Sequence, residues 1–151
     1  MSTGKTALTA VQASVMAVLA ADVTLMAAVP GGVWDYVPAD PVWPFICLES
    51  ADEQPDDTYS LQGRKVHFTF AIFSDYQGRS QQFAILDHLV RLLRHVDLNA
   101  LGSPSPLAGW EQIGRAAWHT GSQAISPFEV GNTRAGQTLV SFEVQVLESV
   151  P

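Results

Sequence analysis

The sequence predicts a single α+β domain over residues 1–151, in which two helices pack on one face of an antiparallel β-sheet. The length of 151 residues suits one domain with one core. The composition, 47% hydrophobic and 15% charged, is apolar enough for folding. Segments of helical and strand-like periodicity follow one another in the order α-(β)-β-β-α-β-β.

The first helix is predicted from a cap at Thr3 or Thr6 to about Ala21. Its apolar residues recur at helical spacing: Leu8, Val11, Val15, Val18 and Leu19. Lys5 and the Ala/Val-rich run after it partly resemble a signal peptide, but polar residues interrupt that run. An amphipathic helix is therefore the preferred interpretation. No uninterrupted apolar stretch of roughly 18 residues occurs, so no membrane span is predicted.

A proline-rich segment precedes the first long strand. Asp22 is placed to cap a second short helical turn, which ends at Pro30-Gly31-Gly32. Residues 33–37 look extended, and three prolines follow: Pro38, Pro41 and Pro44. Proline fixes its own φ and biases the preceding residue toward extended geometry, so this segment is stiff and its last proline opens a strand at 45–49. We call residues 34–44 the proline arm.

The remaining elements follow from local patterns. Residues 52–57 are predicted to form an acidic, turn-rich loop, and the alternation over 64–74 predicts the clearest strand. A helix is predicted over 79–97, with an apolar stripe at Phe83, Leu86, Leu89, Val90, Leu93 and Val96. Four predicted segments complete the chain: a loop at 102–106, a strand at 110–119 with a bulge at Gly114, a mobile loop at 126–136 and a half-polar strand at 137–148.

Charge and cysteine content narrow the possible functions. A formal net charge of -7, from 15 acids and 8 bases, disfavours broad electrostatic binding to a phosphate backbone. Cys47 is the only cysteine, which excludes an intrachain disulfide and a thiolate metal cage. It stands in an apolar run, so we expect a buried, inert thiol.

Residue types used in catalysis occur without the spacing that the chemistry needs. His88 and His95 are seven residues apart on the predicted helix, roughly 10 Å along its axis, which is too far to share one metal. Motifs for a serine nucleophile or a phosphate-binding loop are absent. Paired carboxylates occur only in the acidic loop, which does not hold them at a fixed separation. No catalytic, cofactor-binding or metal site is therefore predicted.

Arginines and aromatic residues are the candidates for contacts with other subunits. Arg79, Arg91 and Arg94 can form a basic patch on the second long helix. Two interpretations stay open for it: a solvated helix face that pairs with Asp87 and Asp97, or a subunit contact.

Tryptophan is enriched both in cores and at interfaces, and the chain has four: Trp34, Trp43, Trp110 and Trp118. Trp43, beside two prolines, is the best interface candidate, and Trp34 and Tyr36 are candidates on the same segment.

Several segments together resemble one family. They are "LAADVTLMAAV", "GGVWDYVPADPVWPFICLE", "HFTFAIFSDYQG", "QQFAILDHLVRLLR" and "TLVSFEVQVLE". Over nearly its whole length the chain resembles the tail-completion, or tail-terminator, proteins of long-tailed phages and gene transfer agents. That family more often has Trp-Ser where this chain has Phe73-Ser74.

The resemblance implies an α+β subunit that closes with its copies into a ring, expected to be a hexamer. The ring would cap the tail tube, end its polymerisation and join tail to head. Expected partners are the tail tube protein and head-tail connector proteins, while DNA passes through without specific binding. The resemblance implies no enzyme activity, no cofactor and no membrane contact. It places the protein in the virion tail after assembly in the host cytoplasm.

Two expectations concern the ring itself. The proline arm would lose little entropy on docking against a neighbour. The acids Asp52, Glu53, Asp56 and Asp57 would face the channel and repel phosphate. Two alternatives remain: another head-tail joining ring, or a small hydrolase or ligand-binding domain whose site residues meet only in three dimensions.

Overall fold

Three helices and six strands make up the computed structural model, which describes residues 6–57, 61–76, 78–94, 96–101, 107, 109–113, 118–130 and 133–148. The helices are α1 (Leu8–Ala21), α2 (Val23–Ala28) and α3 (Ser80–Arg94), and a single 3₁₀ turn covers Leu98–Ala100. The strands are β1 (Val33–Trp34), β2 (Phe45–Pro55), β3 (Gly63–Ser74), β4 (Trp110–Gln112), β5 (Trp118–Val130) and β6 (Thr133–Glu148). The α+β class is confirmed.

All six strands belong to one sheet, in the order β1-β2-β3-β6, with both β4 and β5 on the outer side of β6. Every pair is antiparallel except β1–β2, which is parallel over Val33–Trp34. The exception arises because the proline arm, rather than a tight turn, carries the chain from β1 to β2. The β1/β2 edge and the β4/β5 edge are consequently opposite edges of the sheet.

One apolar cluster joins the helices to one face of the sheet. Along β3 and β6 the alternate residues face this cluster and are buried: Val66, Phe68, Phe70, Ile72, Val140, Phe142, Val144 and Val146. They pack with buried residues of the two long helices: Val11, Val15, Leu19, Ile85, Leu89 and Leu93. Burial of side chains of this size contributes about 1.5–3 kcal/mol each, so the cluster dominates the stability of the fold.

Buried polar side chains fix the start of α3 on the central strands. Gln82 is buried, and its Oε1 accepts a hydrogen bond of 2.7 Å from Thr138 Oγ1 on β6. A side chain at Gly136 would overlap the Gln82 amide, so the glycine allows this close approach. The hydroxyl of Ser74, the last residue of β3, donates to Gln81 Oε1. These contacts set the position of the helix over the sheet.

The start of α1 differs from the prediction. The N-cap residue is Ala7, without a capping side chain, and its N–H donates to Glu53 Oε2 on β2 over 2.8 Å. A carboxylate at a helix N-terminus interacts favourably with the helix dipole. Thr6 is therefore not the cap, and Thr3 lies outside the described residues. Glu53 anchors this end of the helix to the sheet.

The second half of the chain contains more strand than predicted. Residues 126–130 and 133–136 belong to β5 and β6 rather than to a loop, because the two strands pair up to Val130 and Thr133. The sequence suggested a loop since it carries Pro127, and the pairing indeed shifts register between Ile125 and Phe128. Residues 110–119 are the short β4 and the start of β5 rather than one strand, and Gly114 lies outside the described residues.

The boundaries of α3 and β2 also differ from the predicted ones. The helix ends at Arg94, and Asp97 Oδ1 accepts from Asn99 N–H at the following 3₁₀ turn. Phe83, placed in the apolar stripe by sequence, is 42% exposed. β2 continues to Pro55, six residues beyond the predicted strand end, so most of the expected acidic loop is strand.

Candidate functional site

The proline arm packs over the sheet face that the helices leave open. A second apolar cluster lies there, formed by Phe45, Cys47, Ala71 and Phe73 and partly covered by Trp34, Trp43 and Leu139. Phe45 and Phe73 stack with ring centroids 4.9 Å apart, and Trp43 packs on Phe45 at 5.1 Å. Trp34 and Trp43 are thus half-buried within their own subunit.

The base of the arm is fixed by backbone contacts. Gly31 N–H donates to the carbonyl oxygen of Pro44 over 3.0 Å, and Trp34 Nε1 donates to that of Gly31 over 2.6 Å. A side chain at Gly31 would collide with the carbonyl oxygens of Val42 and Pro44. Gly31, three residues before the arm, therefore contacts both ends of the arm at a point where only glycine fits.

The outer side of the arm presents apolar side chains. Tyr36 is 59% exposed and Val42 is 60% exposed, and Val37 between them is also exposed. The ring of Tyr36 packs edge-on against the ring of Trp34, with the ring centroids 5.5 Å apart. Of the aromatic candidates from the sequence, Tyr36 is the one that is mostly available to another molecule.

The three candidate arginines do not form one patch. Arg79 precedes α3, whereas Arg91 and Arg94 lie near its other end, roughly 20 Å along the axis. Arg91 and Arg94 line a cleft of about 380 Å³ between α3 and β5, together with His119 and Ser122. His119 Nε2 and Ser122 Oγ are 2.7 Å apart on the β5 side.

Charge in this cleft is not balanced by ion pairs. Both arginines are exposed, and within the described part of the chain neither guanidinium lies within salt-bridge distance of a carboxylate. Asp87 also lines the cleft, one turn before Arg91. The floor is apolar and comes from Leu86 and Val90.

The four predicted channel acids have different surroundings. Glu53, 15% exposed, lies 3.7 Å from Arg64 in addition to its contact with α1. Asp57 Oδ1 accepts from Gly63 N–H and lies 3.3 Å from Arg64 Nη1. Asp52, mostly exposed, lies 3.2 Å from His67 Nδ1. Asp56 is half-buried beyond the strand end.

Two exposed acids that the sequence analysis did not single out lie on the β1/β2 edge. Glu49 occupies a bulge, because Leu48 pairs with Phe70 and Ser50 with Thr69. Asp35 directly follows β1. Charge patterning could have found this region, since residues 6–63 contain eight acids and no Lys or Arg.

The side chains that could act in catalysis or bind a metal have structural surroundings instead. Burial raises the pKa of the Cys47 thiol, and the carboxylates of Glu49 and Asp35 raise it further, which disfavours the reactive thiolate. His88 Nε2 lies 3.1 Å from Asp22, and His95 is outside the described residues. The described residues contain no group of three or more His, Cys, Asp or Glu able to hold a metal. No described helix is both long and apolar enough to cross a membrane.

Comparisons with known proteins give one family and one structural likeness. A family model described as "Tail completion protein gp17" matches residues 13–117, more than half of the chain. A chain from the virion of a native gene transfer agent (GTA) particle is similar in structure, with a TM-score of 0.71. The two share 23% sequence identity over 90% of this chain and 93% of that chain, a level at which the likeness shows a common fold. Among curated proteins, no sequence matches this chain significantly.

Proposed function

Since the chain belongs to the tail completion protein gp17 family, we propose that it is the subunit of a ring that caps the tail tube and ends its polymerisation. Family membership makes the protein a structural component of a phage tail, located in the virion. The ring consists of six copies and joins the tail to the head. It acts through shape and contact with neighbouring proteins, without enzyme activity or a cofactor.

The exposed apolar surface of the proline arm is the observation that carries the ring proposal. Tyr36 and Val42 face outward from a segment whose ends are tied together at Gly31 and Pro44. A segment held in this way pays little conformational entropy on docking. Burying the remaining exposed surface of the two side chains on a neighbour would contribute roughly 1–2 kcal/mol each, which supports the arm as a contact between copies.

The partners follow from this role. One side of the ring contacts the tail tube protein and the other contacts head-tail connector proteins. DNA passes through the ring without specific binding. The acidic end of β2 lines the channel, where Asp52, Asp56 and Asp57 repel phosphate. Arg64 neutralises part of this charge through Glu53 and Asp57, so the repulsion is weaker than four free carboxylates would give.

A double substitution on the arm tests the ring. Tyr36→Ser with Val42→Ser should weaken self-association at least tenfold, because it removes apolar surface that only a neighbour covers. The readouts are molar mass by light scattering and negative-stain images of purified tail tubes with the protein added. The thermal midpoint of the monomer should fall only slightly, since both side chains are mostly exposed and Tyr36 loses one edge-on contact with Trp34.

Val23→Ser is the matched control, because Val23 is 81% exposed but belongs to α2 and not to the arm. Trp43→Ala is a less informative variant, since loss of its packing on Phe45 destabilises the subunit itself. A double variant that still forms rings and caps tubes would exclude the arm as the contact. Binding to the head connector without binding to tube ends would instead assign the protein to a head-tail joining ring.

A further inference from the structure

We propose that the α3–β5 cleft is the docking site for the proline arm of the next copy, where Arg91 and Arg94 pair with Asp35 and Glu49 of that copy. This inference rests on the ring proposed above and specifies its interface.

The cleft offers positive charge that its own subunit leaves unmatched. Arg91 and Arg94 are exposed one turn apart on α3, and no described carboxylate lies within salt-bridge distance of either. Asp87 reduces the charge of the cleft by one. A guanidinium can bind a carboxylate through two parallel hydrogen bonds, so an incoming acid pair is the matching ligand.

The opposite edge offers the complementary charge. Asp35 and Glu49 are exposed, and they follow the paired residues Trp34 and Cys47 by one and two residues on the parallel strands β1 and β2, so they lie on the same edge of the sheet. Neither forms a salt bridge with another described residue. Asp35 is next to Tyr36, so the acid pair is continuous with the apolar side of the arm.

The two surfaces do not meet within one subunit. Asp35 follows β1 and His119 lies on β5, and these strands are separated by four strand spacings in the sheet. At about 4.8 Å per spacing the two sheet edges are roughly 19 Å apart, and neither Asp35 nor Glu49 lies within salt-bridge distance of the two arginines on α3. A ring of identical subunits brings opposite edges of neighbouring copies together, because each interface joins two different patches.

Apolar matching adds to the charge match. The floor of the cleft is Leu86 and Val90, and the exposed ring of Phe83 lies one turn before Leu86 on α3. Tyr36 and Val42 of the arm are the exposed apolar side chains that accompany the acid pair. An apolar centre with charges around it is the usual composition of a specific protein interface.

A nucleic acid is the competing ligand for a cleft with two arginines. The net charge of -7 disfavours it, and so does Asp87 within the cleft. A second copy of the chain is the better match because it supplies carboxylates beside apolar side chains. DNA binding is therefore an outcome that the experiment must be able to detect.

Charge reversal tests the interface. The cleft variant carries Arg91→Glu and Arg94→Glu, and the edge variant carries Asp35→Lys and Glu49→Lys. Each alone should raise the concentration needed for half-assembly at least tenfold, because attraction becomes repulsion. An equimolar mixture of the two should assemble again, since each interface of an alternating ring regains opposite charges. Arg79→Glu is the matched control, because it reverses an exposed arginine outside the cleft.

The readouts separate this inference from the proposed function. Wild-type protein is measured first: no ring and no tube capping would overturn the proposed function itself. A wild-type ring that the cleft and edge variants leave intact would overturn the interface alone. Monomer circular dichroism and thermal unfolding establish that each variant folds. A cleft variant that loses binding to a short DNA duplex but keeps the ring would assign the cleft to nucleic acid instead.

Discussion

Gly31 determines how the proline arm is held at the scale of single residues. A methyl group there would collide with the carbonyl oxygens of Val42 and Pro44, while the Gly31 N–H is bonded to the same segment. Gly31→Ala should therefore lower the free energy of unfolding by about 1–3 kcal/mol, the usual cost of overpacking. Urea denaturation measures it.

Gly121→Ala is the control for this substitution, since a Cβ at Gly121 would meet no atom within 4 Å. A change in stability equal to that of the control would contradict the close approach at Gly31.

Single residues show where local patterns suffice and where they fail. The buried, inert thiol of Cys47 was predictable, because an apolar run in a strand is usually buried on both faces. The role of Glu53 was not, since its partner, the N–H of Ala7, is 46 residues away in the chain. A local pattern of acidic residues predicts a solvated loop, whereas the long-range partners Ala7 and Arg64 hold this acid in a strand.

At the scale of elements, Asp22 connects α1, α2 and α3. Its Oδ1 accepts from Leu25 N–H at the start of α2 and lies 3.1 Å from His88 of α3. The hydrogen bond from Leu25 N–H is the largest cause that holds the pKa of the Asp22 carboxyl below its ordinary value, and the hydrogen bond with His88 is the next. The carboxylate therefore stabilises the fold above pH about 4, and this contribution is lost as the pH falls through the lowered pKa.

Two substitutions at Asp22 separate capping from charge. Asp22→Ala should cost about 1 kcal/mol at pH 6, and the deficit should shrink toward pH 3. Asp22→Asn should retain most of the stability at pH 6, because asparagine also caps helices, and should show less change with pH. Urea unfolding at both pH values measures this, with the exposed Asp40→Asn as control. An Asp22→Ala deficit that is constant with pH would contradict the charge contribution.

The helices and strands differ in how well they could be predicted from the sequence. β3 and α3 were predicted to within three residues at each end, because alternation and helical spacing are local properties. The β5–β6 hairpin was missed, since Pro127 gives a local turn signal and β6 supplies the pairing that overrides it. The α3–β5 cleft was missed for the same reason, because His119 and Ser122 line it together with Arg91 only when β5 pairs with β6.

The whole molecule should unfold as one unit. One apolar cluster links all three helices to the sheet, so we expect a single transition at which calorimetric and van't Hoff enthalpies agree, near 100 kcal/mol at about 60 °C for 151 residues. Scans at two protein concentrations identify any contribution from dissociation of the ring. Two resolved transitions at low concentration would indicate two domains instead of one.

The acid pair lies at the β1/β2 margin of the sheet and the arginine-lined cleft lies beside β5 at the other margin, and this arrangement has a geometric consequence. Adjacent strands are rotated by about 20–25° relative to one another, so the margins differ in direction by roughly 80–100° over four steps. In the proposed ring of six copies, that accumulated rotation is one contribution to the angle between successive copies. Substitutions that reduce or increase this twist of the sheet, including those at buried positions, would change the diameter of the central opening of the proposed ring.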